Sequence, residues 1–259
     1  MGAITLAYVL FLLTPIALLL IGSFGAVWTN TLLPDGVTGR WYAQVLDDRS
    51  FRSAFWTSLA VAGLTVAICA TLAAPLAYAL HGAAGRGLRL AAQAIALLPI
   101  AVPAVVLGFG LMLVFSSDAL PFLGSTPVLV GGHVVLGLPY LLQALVGDLR
   151  HLGLERLELA AESLGASFPR RFLDVVLPSL RHSLLSGSIT VAALSIGEFQ
   201  LSNLLAGFLN RTYPIVLLQA FYGATGFACA ATVILLGLAL AASLAGAGAA
   251  RGAARGSAA

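Results

Sequence analysis

The stretch LAAESLGASFPRRFLDVVLP, residues 159–178, is a polar interruption in a chain that is otherwise strongly apolar. It is part of a longer polar segment, residues 148–181, that lies between long apolar runs. Of the 259 residues, 60% are hydrophobic and 9% are charged, whereas a soluble domain carries about a quarter of its residues as charged side chains. Most of the exterior is therefore expected to face lipid. The composition excludes an ordinary soluble protein and predicts an all-α, polytopic membrane protein.

The apolar runs have the length of membrane spans. A bilayer core of about 30 Å is crossed by roughly 20 apolar helical residues. Six stretches meet this requirement: residues 3–27, 54–80, 90–115, 127–147, 183–206 and 226–248. The first begins without a positive charge and ends without a small-residue cleavage site, so we interpret it as a retained span. We expect a single transmembrane domain over residues 1–250 and a disordered tail over residues 251–259.

The arginines predict the orientation of the chain. Nine of them fall on one set of alternate loops: Arg86, Arg89, Arg150, Arg156, Arg170, Arg171, Arg181, Arg251 and Arg255. Four fall on the other set: Arg40, Arg49, Arg52 and Arg211. Because basic residues accumulate on the cytoplasmic side, both termini and the 148–181 segment are expected in the cytoplasm.

The first part of this cytoplasmic segment has the spacing of a short amphipathic helix. Four apolar residues recur at i, i+3, i+7 and i+10: Leu154, Leu157, Ala161 and Leu164. Three acidic residues share another face: Glu155, Glu158 and Glu162. One face therefore favours an apolar groove and the other favours water or a basic partner. Gly165 is well placed to follow the last turn of this helix.

A second helix is expected after Ser167, because Pro169 is typical of a first helical turn. Three apolar residues repeat on one face: Phe168, Phe172 and Val175. Arg170 and Asp174 are spaced to pair at i, i+4 on the exposed side. Pro178 is expected to end the helix before the fifth span. Periodicity alone fits equally well a pair of helices lying on lipid headgroups.

The spacing within the segment resembles the signature loop of ABC importer permeases. In that family, Glu-Ala-Ala, three residues, Gly, nine residues and Ile-x-Leu-Pro precede the penultimate helix. Here Ala160, Ala161 and Gly165 are followed, after nine residues, by VVLP at 175–178. The six spans and a Gly-Glu-Phe triplet at 197–199 also look like the small type I importer permeases. The sequence departs from the family pattern at one position: the family's first Glu is Leu159 here, and Glu158 stands immediately before it.

The resemblance implies that the segment contains a coupling helix, which docks in a groove on a separate cytoplasmic ABC ATPase dimer. The residues assigned to this coupling loop are Glu158, Ala160, Ala161, Gly165, Ala166, Val175, Leu177 and Pro178. The resemblance also implies a second permease subunit, identical or a sister chain, an extracytoplasmic solute-binding protein and the bacterial inner membrane. The chain looks closest to the branch that imports polyamines, ferric ion or phosphonates, and we rank polyamine first. It has no G-x-x-x-x-G-K-[ST] loop, so we expect a partner to hydrolyse ATP and this chain to need no cofactor.

Polar residues in the fifth span are expected to line the translocation path. Glu198 lies within an apolar run, where a charged side chain costs on the order of 3 kcal/mol unless it faces a cavity or a partner. With Gln200 and Asn203 it forms a polar patch next to Gly197 and Phe199. We favour this role over hydrogen bonding between helices, which is the alternative. Family members with differently charged cargo share the triplet, so Glu198 does not by itself indicate a cationic substrate.

Two other spans contain residues of interest. Pro99 and Pro103 each remove a backbone donor from the third span, which makes the pair a candidate hinge, although a static kink fits the sequence equally well. His133, in the fourth span, has no second ligand at metal spacing, so we expect a core histidine and no metal site.

Residues 205–222 are too short to span and are expected to form an external helix that meets the delivery protein. Residues 35–52, with Trp41 and Tyr42, are either a second contact or part of an aromatic belt.

Two rival functions are less well supported. A secondary carrier commonly has broken helices with polar groups at a shared depth, and in the sequence the Glu198 region alone has this character. An intramembrane enzyme needs a nucleophile beside a base, or paired carboxylates, and we find no such pair. We therefore expect a transport subunit rather than an enzyme, and no nucleic-acid partner.

Overall fold

The structure is a computed structural model that describes residues 2–28, 31, 33–82, 86–149 and 152–256. Arg150, one of the arginines used to predict the orientation, lies outside the described residues, and so do residues 257–259 of the predicted tail.

Helices dominate the described chain, and the all-α prediction is confirmed. They are α1 (Gly2–Ser23), α2 (Arg40–Asp47), α3 (Arg49–Gly82), α4 (Arg86–Ala101), α5 (Ala104–Phe115), α6 (Thr126–Leu149), α7 (Leu154–Ser163), α8 (Phe168–Arg171), α9 (Leu177–Ser179), α10 (Arg181–Gly197), α11 (Gln200–Leu205), α12 (Tyr213–Phe221) and α13 (Thr225–Gly256). A π-helical turn, Phe172–Val176, joins α8 to α9. A short antiparallel hairpin of β1 (Gly25–Val27) and β2 (Asp35–Val37) was not predicted. Helix α13 covers residues 251–256 of the predicted tail.

Three helices among the described residues are long and apolar enough to cross a membrane: Ile4–Ser23, Arg49–Gly82 and Thr126–Leu149. They correspond to the first, second and fourth predicted spans. The sixth predicted span lies in α13, which includes the apolar helical stretch Thr225–Ala241. The third and fifth predicted spans are each interrupted, so neither is the continuous helix that we expected.

The third span is interrupted because Pro103 has no backbone N–H to continue the helix. The last turn of α4 closes with the Val102 N–H donating to the Leu98 carbonyl, 3.1 Å away. Pro103 then takes an extended conformation, with φ −55° and ψ 137°. Helix α5 starts as the Val106 N–H donates to the Pro103 carbonyl at 2.9 Å. Pro99 lies inside α4, so the helix continues past Pro99 and breaks completely next to Pro103.

The chain forms two compact units, Met1–Thr57 with Arg211–Ala241, and Ser58–Asn210 with Ala242–Ala259. The core of the first unit is aromatic. The Phe51 ring packs edge-on against Tyr213 and Phe227, with centroids 5.2 Å and 5.3 Å away. The Tyr213 hydroxyl donates a hydrogen bond to the Ala231 carbonyl at 2.8 Å. These contacts fix α12 and α13 to the start of α3 within this unit.

The second unit is organised around α6. Its buried residues include Leu141, Leu145 and Leu149. Two glycines of α6 let neighbouring helices approach closely, as small residues do in membrane proteins. A Cβ on Gly137 would lie 2.9 Å from Val191 Cγ1 of α10, and a Cβ on Gly132 would lie 2.8 Å from Leu201 Cδ2 of α11. Both halves of the interrupted fifth span are therefore packed against the same helix.

Candidate functional site

Helix α7 of the signature loop, residues 148–181, ends in a turn that depends on glycine. Gly165 has φ +81°, a left-handed conformation that costs other residues roughly 1–2 kcal/mol. Its N–H donates to the Glu162 carbonyl at 2.9 Å, and the Ala166 N–H donates to the Ala161 carbonyl at 3.0 Å. This pair of bonds is a Schellman motif, which satisfies the last carbonyls of a helix. Gly165 thus lies just after the last helical turn, where the spacing places it.

Two of the four apolar side chains predicted to share one face of α7 are exposed. Leu154 is buried, but Leu164 is 88% exposed and Leu157 is 44% exposed. Leu159 and Phe168, on either side of Leu164 in sequence, are also exposed. Exposed large apolar side chains on one short segment are typical of an interaction surface. We call Leu157, Leu159, Leu164 and Phe168 the loop surface.

The second helix of the loop passes through Pro178 instead of ending there. Helix α8, the π-helical turn and α9 follow one another from Phe168 to Ser179, and α10 begins at Arg181. Pro178 has no N–H for the carbonyl four residues earlier, and its ring crowds that carbonyl. The wider π turn accommodates this, because the Leu177 N–H donates to the Phe172 carbonyl five residues earlier. The helix ends one residue later than predicted, at Ser179, before α10 of the fifth span begins at Arg181.

The remaining loop residues named from the sequence lie at different depths. Ala161, Ala166, Val175 and Leu177 are half-buried, and Ala160 is exposed. Val176, which was not named, is fully buried in the core beneath the loop. Val176 therefore packs against the membrane helices. The half-buried residues lie between that core and the solvent-exposed face of the loop.

An ion pair joins the two sides of the Gly165 turn. Arg171 Nη1 lies 2.7 Å from Glu162 Oε2. The sequence paired Arg170 with Asp174, but the π turn changes which side chains align four residues apart, and the ion pair found in the described part of the loop is the one at Arg171. The Glu162 side chain is 61% exposed, so the pair adds little stability. It restrains the angle between α7 and α8.

Tyr78 of α3 contacts the loop in a way that the sequence analysis missed. Its hydroxyl donates a 2.6 Å hydrogen bond to Glu158 Oε1. Its ring centroid lies 5.9 Å from that of Phe168 and 5.6 Å from that of Phe172. Glu158 therefore bonds within the chain, while Leu159, in the place of the family Glu, is exposed. The sequence carried no signal for this contact because Tyr78 and Glu158 are 80 positions apart.

A cavity of about 600 Å³ lies where the two interrupted helices approach α6. Its lining includes six residues named from the sequence: Pro99, Pro103, Gly197, Glu198, Phe199 and Gln200. The structure adds the polar side chains of His133, Tyr140 and Ser195. Asn203, also named from the sequence, lies exposed on α11 and does not line this cavity.

Glu198 is held by the backbone of α11. Its Oε1 accepts a hydrogen bond from the Leu201 N–H at 2.8 Å. Its Oε2 accepts from the Ser202 N–H at 2.8 Å and from the Ser202 hydroxyl at 2.9 Å. A carboxylate at this position satisfies the free amides of a helix N-terminus and complements their partial positive charge. The fifth span breaks without a proline because Glu198 leaves the helix, with φ −72° and ψ 123°, to cap α11.

His133, to which the sequence assigned no role, connects both halves of the fifth span. It is 2% exposed. Its Nδ1 lies 2.7 Å from Ser195 Oγ of α10, and its Nε2 lies 2.8 Å from Ser202 Oγ of α11. An ionisable group within an apolar span needs partners, and this was the one available signal. The partners themselves are 62 and 69 positions away, beyond the reach of any local pattern.

The segments predicted to be external contain short elements of the first unit. Helix α12 lies within residues 205–222, and burial raises the pKa of the Tyr213 phenol, which therefore stays a neutral donor. In α2, Trp41 Nε1 donates to the Gly25 carbonyl at 2.7 Å, and the Tyr42 hydroxyl lies 2.7 Å from Ser23 Oγ. The polar atoms of both aromatic residues are thus used inside the unit.

Comparison with known proteins gives a family match. A family model described as a binding-protein-dependent transport system inner membrane component matches residues 73–247. A permease of Salmonella typhimurium named for 2-aminoethylphosphonate transport is 30% identical over 195 residues, covering 74% of this chain and 71% of the relative. The molybdenum transport system permease of Mycobacterium tuberculosis is 30% identical, over 64% of this chain and 67% of its own. The putrescine transport system permease of Escherichia coli is 27% identical, covering 81% of this chain and 75% of the relative.

Solved structures match the fold. A bacterial ABC transporter involved in the import of the acidic polysaccharide alginate matches with a TM-score of 0.74 at 17% identity, over 94% of this chain and 93% of that chain. The bacterial alginate ABC transporter, in complex with a periplasmic protein that holds an alginate pentasaccharide, matches with a TM-score of 0.75 at 16% identity, over 94% and 90%.

Proposed function

The chain belongs to the family of binding-protein-dependent transport system inner membrane components, so it is a multi-pass ABC importer permease, and we propose that its signature loop couples solute movement to a separate ATPase. In the proposed assembly this chain and a second permease subunit, identical or a sister chain, enclose the path across the bilayer. A cytoplasmic ATPase dimer binds and hydrolyses ATP, and an extracytoplasmic binding protein delivers the solute.

The observation that carries the coupling proposal is the loop surface. Leu164 is 88% exposed at the end of α7, where the Schellman turn and the Glu162–Arg171 ion pair hold the backbone in one conformation. A preorganised apolar segment binds a groove without first losing conformational entropy. We propose that the ATPase supplies this groove. Glu158, bonded to Tyr78, then acts inside the permease and does not replace the family's acidic contact at Leu159.

Rigid connections from the loop to the membrane helices support the same proposal. Beyond the π turn, α9 is followed directly by α10. The Ser183 hydroxyl at the start of α10 donates to the carboxylate of Asp148 at the end of α6. A displacement of the loop would therefore reach both walls of the cavity as a rigid-body motion. In the proposed cycle, this motion exposes the cavity near Glu198 alternately to the two sides of the membrane.

The proposal extends to the class of solute that this permease carries. The relatives are named for 2-aminoethylphosphonate, molybdenum and putrescine transport, and from the sequence we ranked polyamine first. Glu198 gives little support to that ranking, because its carboxylate already accepts three hydrogen bonds from α11. We propose that the solute is small. The compound that the cognate binding protein retains on purification would identify it.

The proposed orientation places both termini and the signature loop in the cytoplasm. It is supported by the excess of arginine on that set of loops. It also places the turn at residues 207–210 outside, where the Asn210 side chain donates to the Gly124 carbonyl at 3.0 Å.

The loop surface can be tested with two substitutions of matched exposure. Leu164→Asp places a charge on the loop surface, whereas Leu209→Asp changes a residue that is 91% exposed in the turn at 207–210. Because desolvating a carboxylate in an apolar groove is costly, we expect Leu164→Asp to abolish co-purification of the cognate ATPase with the permease. Leu209→Asp should retain it. Equal recovery of the ATPase with both variants would contradict the proposal.

The family match favours an ATP-driven importer; an ion-coupled carrier is the alternative that the sequence left open, and one structural observation bears on it. Two helices are broken at the cavity wall, at Pro103 and at Glu198, whereas the sequence offered the Glu198 region alone, with no matching half. Broken helices at a shared site are common in such carriers. Solute uptake into vesicles with an ion gradient and no ATP would support the carrier, and uptake that requires ATP would exclude it.

A further inference from the structure

Three buried side chains join the two halves of the fifth span across their break. His133 is 2% exposed, Ser195 is 7% exposed and Ser202 is fully buried. Ser195 belongs to α10, before the break, and Ser202 belongs to α11, after it. His133 belongs to α6 and bonds both serines at 2.7 Å and 2.8 Å. The imidazole is therefore a bridge between two helices that the backbone does not hold in line.

The hydrogens of this bridge follow by elimination for a neutral imidazole. The Ser202 hydroxyl has a single hydrogen, which it donates to Glu198 Oε2. His133 Nε2 must then carry a hydrogen and donate it to Ser202 Oγ. The Nδ1 atom, left without a hydrogen, accepts from the Ser195 hydroxyl. The chain of bonds thus runs in one direction, from Ser195 through His133 and Ser202, and ends on the carboxylate that caps α11.

Removing this bridge would leave the packing on α6 and the two residues between Gly197 and Gln200 to hold α10 and α11 together. Helix α11 packs on α5 as well as on α6, since a Cβ on Gly108 of α5 would lie 2.8 Å from Leu204 Cδ1. At the break, Gly197 has no neighbour that would restrain a Cβ. Conformational changes concentrate at a few such positions between rigid elements. A loop displacement would then bend the chain at residues 198 and 199 and leave α11 where it was.

We propose that His133 is a positioning residue that locks this break, so that α10 and α11 move as one body with α6. The proposal rests on the proposed coupling function, to which it adds the residue that transmits motion past the cavity. His133 touches no solute in this role and acts through Ser195, Ser202 and the Glu198 cap.

The test measures the distance across the break directly. Spin labels are placed at Leu185→Cys on α10 and Asn203→Cys on α11, both exposed, while the native Cys69 and Cys229 are buried. Pulsed electron paramagnetic resonance is recorded on the full chain in complex with its ATPase. Ser195→Ala removes one arm of the bridge with little change in volume, His133→Leu removes both arms, and His133→Gln restores a donor and an acceptor. Thr190→Ala is the control, because that hydroxyl bonds within its own helix, to Ser186.

We expect one narrow distance distribution in the parent protein and in Thr190→Ala. Losing a buried hydrogen bond should raise the unlocked population about fivefold, so Ser195→Ala and His133→Leu should broaden the distribution, and His133→Gln should narrow it again. The same two variants should transport less solute per ATP hydrolysed. Narrow distributions in both Ser195→Ala and His133→Leu, or equal broadening in Thr190→Ala, would overturn the proposal. Failure of the coupling function itself would appear as ATP hydrolysis without transport in the parent protein, whatever the distances.

Discussion

A single position in the signature loop illustrates how a family feature can be redistributed. Leu159 stands where the family has its first Glu, and it is 65% exposed. The neighbouring Glu158 does not extend outward in its place, since its carboxylate accepts a hydrogen bond from Tyr78. The acid therefore ties the loop to α3, and the exposed position is apolar. This chain is expected to bind its ATPase mainly through apolar contacts.

The Tyr78 contact gives a prediction for stability. Tyr78→Phe keeps the ring contacts with Phe168 and Phe172 but leaves the Glu158 carboxylate without this donor. We expect the variant to lose roughly 1.5–3 kcal/mol of unfolding free energy, the usual contribution of a hydrogen bond to a charged group. Thermal unfolding of the purified protein measures it, with Tyr222→Phe as the control because that residue is 86% exposed. Equal midpoints for the two variants would show that the hydroxyl has no stabilising role.

For single residues, the sequence predicts the roles that are set by nearby residues in the chain. The position of Gly165 follows from helix periodicity and the glycine preference of the residue after a helix. The roles of Tyr78 and His133 do not follow, because their partners are 62 to 80 positions away. The same limit explains why Glu198 is recognised as significant, while its function as a cap is visible in the structure alone.

Among the helices, apolar length predicts the continuous spans and misses the interrupted ones. Pro103 gave a local warning of the first break, since proline cannot continue a helix. The break at Glu198 had no proline and arose from a side chain that bonds the next helix. The helix of the loop ends at Ser179, one residue past the predicted Pro178, because the π turn accommodates a proline inside the helix.

The packing of α6 against α11 gives a prediction that neighbouring residues can test. A Cβ on Gly132 would lie 2.8 Å from both Leu201 Cδ2 and Leu205 Cδ1, whereas a Cβ on Gly131 would meet nothing within 4 Å. Both leucines are fully buried, so we expect Gly132→Ala to destabilise the protein by roughly 1–3 kcal/mol through overpacking. Gly131→Ala should be neutral or slightly stabilising, since alanine favours helix. Thermal midpoints that fall equally for both variants would mean that this contact is not tight.

For the whole molecule, the decisive expectation is the side of the membrane on which each loop lies. Leu164→Cys and Leu209→Cys introduce thiols at positions that are 88% and 91% exposed, and both native cysteines are buried. In intact cells that express the permease without its ATPase, a membrane-impermeant thiol reagent should label Leu209→Cys and leave Leu164→Cys unmodified until the membrane is opened. Labelling of Leu164→Cys in intact cells would place the signature loop outside and exclude coupling to a cytoplasmic ATPase.

The capped carboxylate at Glu198 bears on how permeases of this kind acquire new cargo. An acid that caps a helix has part of its charge offset by the helix N-terminus, so it distinguishes cationic from anionic compounds less than a free carboxylate would. Selectivity can then change through the other side chains around the chamber, such as Tyr140 and Gln200, without disturbing the architecture. On this basis, substitutions at Tyr140 and Gln200 should alter which compound is carried, whereas replacing Glu198 should reduce transport of every compound alike.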